Sequence, residues 1–216
     1  MKKKNRLWIG ISLLCAFVLW TVALCYVDVQ PIGPGGSPVG FAGINRAFHR
    51  QTGVHLSLYH ITDWLGLIPL AFAFGFAFLG LLQWIRRRRL CRVDLSLFVL
   101  GGFYLVVLGV FLFFEGCVIN YRPVLLGSLP EASYPSSTTL LTMCVIPTAM
   151  LQLRGRIKKP ILRNTVLVLM GLFLLFMVVG RLVSGVHWLS DIVGGALLSA
   201  GLVCVYYFFS KTEKST

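Results

Sequence analysis

Three ionisable residues with the clearest chemical potential lie within eleven positions of each other. Arg181 stands near the end of one apolar run, and His187 and Asp191 begin the next. Ionisable side chains at membrane depth are costly and are usually functional. His187 and Asp191 are four residues apart and share a helix face, so the carboxylate can hold one imidazole nitrogen and leave the other free as a nucleophile or base. A structural ion pair between Asp191 and Arg181 explains the same residues, and this segment alone leaves both interpretations open.

A second group of residues indicates an anion site. The chain reads Asn120-Tyr121-Arg122-Pro123 and later Tyr134-Pro135-Ser136-Ser137-Thr138-Thr139, just before another apolar run. Proline followed by hydroxyl residues at such a position is typical of a helix start. The free backbone N–H groups of a helix start bind anions, and arginines bind phosphate through charge-assisted hydrogen bonds. Both groups of residues together therefore predict a phosphate pocket with a histidine nucleophile.

Long apolar segments must position these residues. The 216-residue chain is 57% hydrophobic and only 12% charged, which excludes a soluble globular enzyme. Runs of spanning length lie at 7–26, 65–85, 95–116, 138–153, 165–183 and 188–209. The first run is longer than the apolar part of a signal peptide, so we expect it to be retained. The predicted fold class is all-α, a polytopic membrane bundle of six transmembrane helices that forms a single domain over residues 1–216.

The basic residues indicate the orientation of this bundle. A net charge of +13 would suggest a nucleic-acid partner for a soluble protein. However, sixteen of the twenty Lys and Arg residues fall in four clusters, at 2–6, 86–92, 154–163 and 211–214. These clusters share one side of a six-span bundle, and the positive-inside rule makes that side cytoplasmic. We therefore predict cytoplasmic termini, no nucleic-acid partner, and a site on the extracytoplasmic side of a cell membrane; the short loops are typical of a bacterial protein.

The predicted outer loop between the first two spans, residues 27–64, has a helical pattern of its own. Phe41, Ile44 and Phe48 recur at helical spacing, with Arg46 on the opposite face. This pattern predicts a short helix in the outer membrane interface, which could guide a lipid headgroup to the site. An ordinary loop that covers the bundle fits equally well.

No cofactor is expected. The chain has only four histidines and no carboxylate cluster, so no set of metal ligands is apparent. The six cysteines form no CxxC pair and are interpreted as small residues of membrane helices.

These residues and their order resemble the type 2 phosphatidic acid phosphatase superfamily of integral-membrane lipid phosphate phosphatases. The family signature has three parts: Lys, six residues, Arg-Pro; then Pro-Ser-Gly-His; then Ser-Arg, five residues, His, three residues, Asp. This chain has Glu115, six residues, Arg122-Pro123; then Pro135-Ser136-Ser137-Thr138; then Gly180-Arg181, five residues, His187, three residues, Asp191. The resemblance covers most of the chain.

The resemblance implies a phosphohistidine mechanism and a set of site residues. His187 would attack phosphorus while Asp191 orients it. The substrate-binding residues that follow from the matching positions are Arg122, Ser136, Ser137, Thr138, Arg181 and Glu115, together with nearby backbone amides.

Three positions depart from the family pattern, at Gly180, Glu115 and Thr138. Glu115 replaces a lysine, and two unit charges about 4 Å apart interact by roughly 4 kcal/mol at an effective dielectric of about 20. We therefore expect Glu115 to pair with Arg122, to turn toward another group, or to be protonated. Thr138 replaces the histidine that would protonate the leaving oxygen, and an alcohol cannot act as a general acid near pH 7.

The loss of this histidine predicts the substrate. A leaving group that is itself a phosphate needs little protonation, so a polyprenyl diphosphate should be a better substrate than phosphatidic acid. Alternatively, the proton donor could be one of Glu115, Tyr134, His49, His55 and His60. Two other functions stay open: a phosphoryl or headgroup transferase of the same family, and a catalytically inactive lipid-binding member.

Overall fold

The structure, a computed structural model, describes residues 3–210 and is built almost entirely from α-helices. Eight helices follow one another: α1 (Lys3–Tyr26), α2 (Ala42–Thr52), α3 (Leu56–Leu65), α4 (Leu67–Arg87), α5 (Leu95–Gly116), α6 (Ser137–Arg156), α7 (Pro160–Val183) and α8 (Leu189–Ser210). In this range, β-pairing is limited to isolated bridges. The predicted all-α class is therefore confirmed. Three lysines of the basic clusters lie outside the described residues: Lys2, Lys211 and Lys214.

Five helical segments within residues 3–210 are long and apolar enough to cross a membrane: Lys4–Tyr26, Leu56–Arg87, Leu95–Gly116, Pro160–Val183 and Leu189–Ser210. They coincide with five of the six predicted spans. Large apolar side chains on α4, α5 and α7, such as Phe74, Leu105 and Leu175, are exposed, as contact with lipid requires. The chain is thus a multi-pass membrane protein, while six crossings and cytoplasmic termini stay predictions.

The remaining predicted span, 138–153, falls within α6, which is less apolar because it lies at the centre of the bundle. This helix contacts α4, α5, α7 and α8. Two of its buried polar side chains bond within the bundle: Thr148 donates to the carbonyl of Cys144 at 2.8 Å, and the Gln152 amide donates to the Tyr206 hydroxyl at 3.0 Å. A helix that faces protein does not need a lipid-compatible surface.

The first and last helices, α1 and α8, pack closely against each other. The contact between α1 and α8 is the most extensive one. Gly201 makes it possible, since a Cβ atom there would lie 2.8 Å from the Leu14 side chain. Small residues at such crossings let two membrane helices approach closely.

The segment between α1 and α4, called the outer segment because it is predicted to lie on the extracytoplasmic side, contains two helices. Helix α2 covers most of the segment for which the spacing of Phe41, Ile44 and Phe48 predicts a helix, although Phe41 precedes it with a φ of 50°. Helix α3, which the sequence analysis did not anticipate, continues into α4 with only Gly66 between them. Both helices lie next to the connection between α7 and α8.

Candidate active site

His187 lies in the short connection between α7 and α8, and the outer segment fixes this connection. The backbone N–H of His55 donates to the carbonyl of Ser184 at 2.9 Å. Gly185 has a φ of 68°, a conformation that favours glycine. A Cβ atom on Gly185 would also collide with the carbonyl of Gly53. The connection is therefore held against the backbone of the outer segment.

Asn45 of α2 anchors the start of α8. The side chain is fully buried; its amide nitrogen donates to the Gly40 carbonyl at 2.8 Å and to Ser190 Oγ at 2.9 Å. Its amide oxygen accepts from the backbone N–H of Ser190 at 3.1 Å. Because N–H groups in the first turn have no partner within the helix, this bond caps α8 beside Asp191.

A buried hydroxyl joins the predicted catalytic pair. His187 Nδ1 and Asp191 Oδ2 are 4.0 Å apart, too far for a hydrogen bond. Ser133 Oγ lies 3.0 Å from that nitrogen and 2.5 Å from that oxygen, and therefore bridges them. Asp191 also accepts from the Asn120 amide at 3.2 Å and the Trp188 backbone N–H at 2.9 Å. Three donors thus fix the carboxylate in one orientation.

The contacts of His187 determine which ring nitrogen can react. Nε2 lies 3.2 Å from Nη1 of Arg122. A guanidinium can only donate, so Nε2 holds the lone pair and Nδ1 carries the proton, which it donates to Ser133. Burial lowers the pKa of His187 well below its usual 6.5, and the charges of Arg122 and Arg181 lower it further. Nε2 of the neutral ring is therefore available as a nucleophile.

Arg122 reaches the imidazole because the connection between α5 and α6 folds back on itself. Tyr121 and Ala132 form an antiparallel bridge, and the backbone N–H of Arg122 donates to the Glu131 carbonyl at 3.1 Å. The indole N–H of Trp188 donates to the Tyr121 carbonyl at 2.8 Å, which ties this connection to α8. Nε of Arg122 lies 3.1 Å from a Glu131 carboxylate oxygen, an ion pair without the alignment of a hydrogen bond.

The second arginine, Arg181, is almost fully buried. Its Nη2 atom donates to Asp63 Oδ1 at 3.1 Å and to Thr138 Oγ1 at 2.5 Å. Its guanidinium carbon lies 4.6 Å from the centre of the Tyr59 ring. Arg181 therefore forms its ion pair with Asp63 and not with Asp191, which the sequence analysis had left open as an alternative.

The two serines before Thr138 have different surroundings. Ser136 is fully buried, and its hydroxyl accepts from the Thr139 hydroxyl at 3.0 Å. Ser137 is half-buried and lines a small cavity that it shares with His187. Ser136 does not line this cavity; its backbone N–H donates to the Asp191 carbonyl at 3.2 Å, and its carbonyl accepts from the backbone N–H of Leu140.

The start of α6 carries unused backbone donors. The first N–H with an acceptor inside the helix is that of Leu140, which donates to the Ser136 carbonyl at 2.9 Å. The N–H groups at 137–139 precede it, and such groups at a helix N-terminus attract anions. This helix end lies within the second signature part, Pro135-Ser136-Ser137-Thr138.

Glu115 lies at the end of α5, is exposed, and lines the same small cavity as His187. Arg122, one of its predicted partners, forms an ion pair with Glu131 instead. Glu115 thus places a carboxyl group in the cavity that His187 lines.

The other proton donors considered are less well placed. Tyr134 lines that cavity, but its hydroxyl is 2.6 Å from the Thr21 hydroxyl, and burial raises its pKa. Side chains of His49 and His55 lie within hydrogen-bonding distance of backbone carbonyls. His60 is exposed and contacts Tyr59.

Packing explains why position 180 is a glycine and not the serine of the family signature. A Cβ atom there would lie 2.8 Å from the Thr62 methyl group, and Thr62 is fully buried in α3. The glycine therefore lets α3 approach α7, which brings the next residue, Asp63, to Arg181.

Four residues of the site were missed by sequence reasoning: Ser133, Asn120, Tyr59 and Asp63. Polar loop residues such as Ser133 and Asn120 carry no distinguishing signal. Asp63 did carry one, because it is an acidic residue just before a long apolar run.

Comparisons with known proteins agree with the fold. A sequence model described as the PAP2 superfamily matches residues 68–215. A solved structure, the first transmembrane PAP2 type phosphatidylglycerolphosphate phosphatase from Bacillus subtilis, is similar with a TM-score of 0.64 and 18% identity, over 96% of this chain and 98% of that one. No curated protein matches the chain in sequence.

Proposed function

The chain belongs to the PAP2 superfamily, and we propose that it is a phosphatase that hydrolyses lipid diphosphates at the outer leaflet of a bacterial cell membrane. A polyprenyl diphosphate is the favoured substrate, and the terminal phosphoryl group passes through a covalent intermediate on His187. No metal takes part in this scheme.

The observation that carries this proposal is the oriented imidazole. Nε2 of His187 holds a lone pair beside the Arg122 guanidinium, while Nδ1 is connected through Ser133 to Asp191. The carboxylate can stabilise the positive charge that the ring gains when Nε2 bonds to phosphorus.

The two arginines support phosphate binding. Arg122 places Nη1 beside His187, and the buried Nε–H of Arg181 has no hydrogen-bond acceptor among residues 3–210. An unpaired buried donor is costly, and a phosphoryl oxygen would satisfy it. The backbone N–H groups at 137–139 add further donors.

The threonine at position 138 indicates which kind of leaving group the site can release. Its hydroxyl bonds to Arg181 and cannot supply a proton near pH 7. A lipid alkoxide would therefore leave slowly, whereas a lipid monophosphate leaves as a stable anion.

The test is phosphate release by purified protein from undecaprenyl diphosphate and from phosphatidate. We expect faster release from the diphosphate, an acid-labile phosphate on the wild-type protein, and neither signal with His187→Ala. The matched control is His55→Ala, an exposed histidine of the outer segment, which should stay active. Equal rates on both lipids would refute the substrate preference, and absence of both turnover and adduct would refute the enzyme.

A further inference from the structure

Hydrolysis of a phosphohistidine requires a group that takes a proton from the attacking water. The threonine at position 138 cannot do this. Asp63 on α3, which lies outside all three signature parts, carries a carboxylate close to this threonine.

Asp63 is held next to Thr138 by a shared partner. Its Oδ1 atom and the Thr138 hydroxyl oxygen both bond to Nη2 of Arg181, at 3.1 and 2.5 Å. The end of α3 also packs there, since a Cβ atom on Gly66 would lie 3.6 Å from the Thr138 methyl group. The carboxylate of Asp63 thus occupies the neighbourhood that the altered signature position leaves without a base.

The exposure of this carboxylate suits a reacting group. The Arg181 side chain is 1% exposed, whereas that of Asp63 is 54% exposed. One carboxylate oxygen contacts the buried guanidinium, and the group as a whole remains open to water. A phosphoryl group held by Arg181 would lie within reach of a water bound to Asp63.

The other carboxylates near the site are less suited. Glu131 is the ion-pair partner of Arg122. Glu115 shares the cavity of His187 but has no ion-pair partner among the described residues and no contact that orients it toward Arg181 or Thr138. Glu115 is therefore the rival base that an experiment must separate from Asp63.

On the premise that the proposed function holds, we propose that Asp63 is the general base of the second half-reaction. In the first half-reaction, Nε2 of His187 bonds to the terminal phosphorus, the bridging P–O bond breaks, and its electron pair leaves with the lipid monophosphate. In the second, a water oxygen bonds to phosphorus, the N–P bond breaks with its electrons returning to Nε2, and the water proton passes to Asp63. Inorganic phosphate leaves, and Asp63 returns the proton to solvent.

This assignment accounts for the substrate preference as well. An ionised carboxylate can accept a proton but has none to donate. An enzyme with this group in place of a histidine can activate water, and it needs a substrate whose leaving group requires no proton. A diphosphate lipid meets that requirement.

The test is pre-steady-state kinetics of Asp63→Asn with undecaprenyl diphosphate. We expect a normal burst of lipid monophosphate, equal in amount to the enzyme, followed by turnover reduced about 100-fold, in the range for loss of a general base. Phosphorylated His187 should accumulate. If Asp63 merely positioned Arg181, the burst would slow together with turnover, and that result would overturn the proposal.

Further variants keep the test decisive if Asp63→Asn folds poorly. Asp63→Glu keeps the carboxylate and should retain more turnover, and adding Thr138→His to Asp63→Asn should restore turnover. Asp94→Asn removes the carboxylate of another ion pair, with Arg87 at 3.0 Å, and should change neither phase.

Accumulation of the adduct in Glu115→Gln instead of Asp63→Asn would assign the base to Glu115. If wild-type protein forms no phosphohistidine, the proposed function itself fails; if it does and Asp63→Asn behaves like wild type, only the base is wrong.

Discussion

Ser133 connects the proposed catalytic histidine and aspartate, whose side chains lie 4.0 Å apart and form no direct hydrogen bond. Its hydroxyl bridges His187 Nδ1 and Asp191 Oδ2. Ser133→Ala should lower kcat/KM for phosphate release about 100-fold, because Asp191 would no longer stabilise the developing charge on the imidazole through this hydroxyl, an electrostatic loss of the usual size. It should also cost about 1–3 kcal/mol of stability, because a buried carboxylate oxygen loses a donor. Both effects can be measured with purified protein, by phosphate release and by chemical denaturation.

The matched control is Ser37→Ala, which removes a buried hydroxyl that has no hydrogen-bond partner among the described residues. It should leave kcat/KM unchanged. If Ser133→Ala retained full activity, His187 and Asp191 would not depend on the bridge.

The protonation of His187 gives a second prediction at the residue level. Because burial and two arginines lower its pKa below 6.5, the ring stays neutral until the pH falls below that value. Activity should therefore be present at pH 6.5 and lost as the pH falls through the lowered pKa, since a protonated Nε2 cannot attack. The measurement is kcat/KM against pH, which reports groups of the free enzyme.

Arg122→Gln tests the cause of this shift. Removing one of the two positive charges should move the acid limb of the residual activity to higher pH on the same substrate. A limb that stays in place would show that the titrating group is not His187.

At the level of helices and connections, the placement of His187 depends on how the outer segment packs. Gly185→Ala introduces a Cβ atom at a φ of 68° that would collide with the Gly53 carbonyl. We expect a cost of about 1–3 kcal/mol and a loss of at least about 100-fold in activity, because small displacements of reacting groups have large effects. Gly127→Ala is the control, since a Cβ atom there meets open space. Equal behaviour of the two variants in thermal unfolding and phosphate release would contradict the importance of this contact.

The packing of α3 on α7 gives a prediction about the altered family position. Gly180→Ser restores the serine of the family but places its Cβ atom 2.8 Å from the Thr62 methyl group. The single variant should therefore lose stability and activity, while combining it with Thr62→Ser, which removes that methyl group, should recover part of both. A double-mutant cycle measures this coupling; additive effects would show that the two residues do not compete for space.

For the whole molecule, the testable property is the orientation in the membrane. Cys91 follows the arginine run after α4, and Cys117 follows α5 near the site; both are exposed. In two variants that each keep one of these cysteines, a membrane-impermeant thiol reagent should label Cys117 in intact cells and Cys91 only after permeabilisation. The reverse pattern would invert the predicted topology and move the site to the cytoplasmic side.

The sequence by itself determined the membrane class and the long apolar helices, and it singled out the central residues of the candidate site, but it did not predict α3. Continuous apolar runs are long enough to span a bilayer, and water-exposed alternatives are excluded by their composition. The family was identified from the spacing of His187 and Asp191 and of the nearby arginines. Such spacing along the chain can be read directly from the sequence. The span predicted at 138–153 lies within α6, which packs among four other helices, and its crossing of the membrane stays a prediction.

Only the tertiary structure decided which partners these residues take. Arg181 pairs with Asp63 at 3.1 Å, Arg122 with Glu131 at 3.1 Å, and Ser133 joins His187 to Asp191. The first and last of these contacts join residues more than fifty positions apart, and no local pattern encodes them. They depend on how α3 and the α5–α6 connection pack at one end of the bundle, where Gly180 and Gly185 allow close approach of neighbouring segments. The residue types of the candidate site could therefore be predicted from the sequence, while their hydrogen bonds, and with them the role proposed for Asp63, depend on packing.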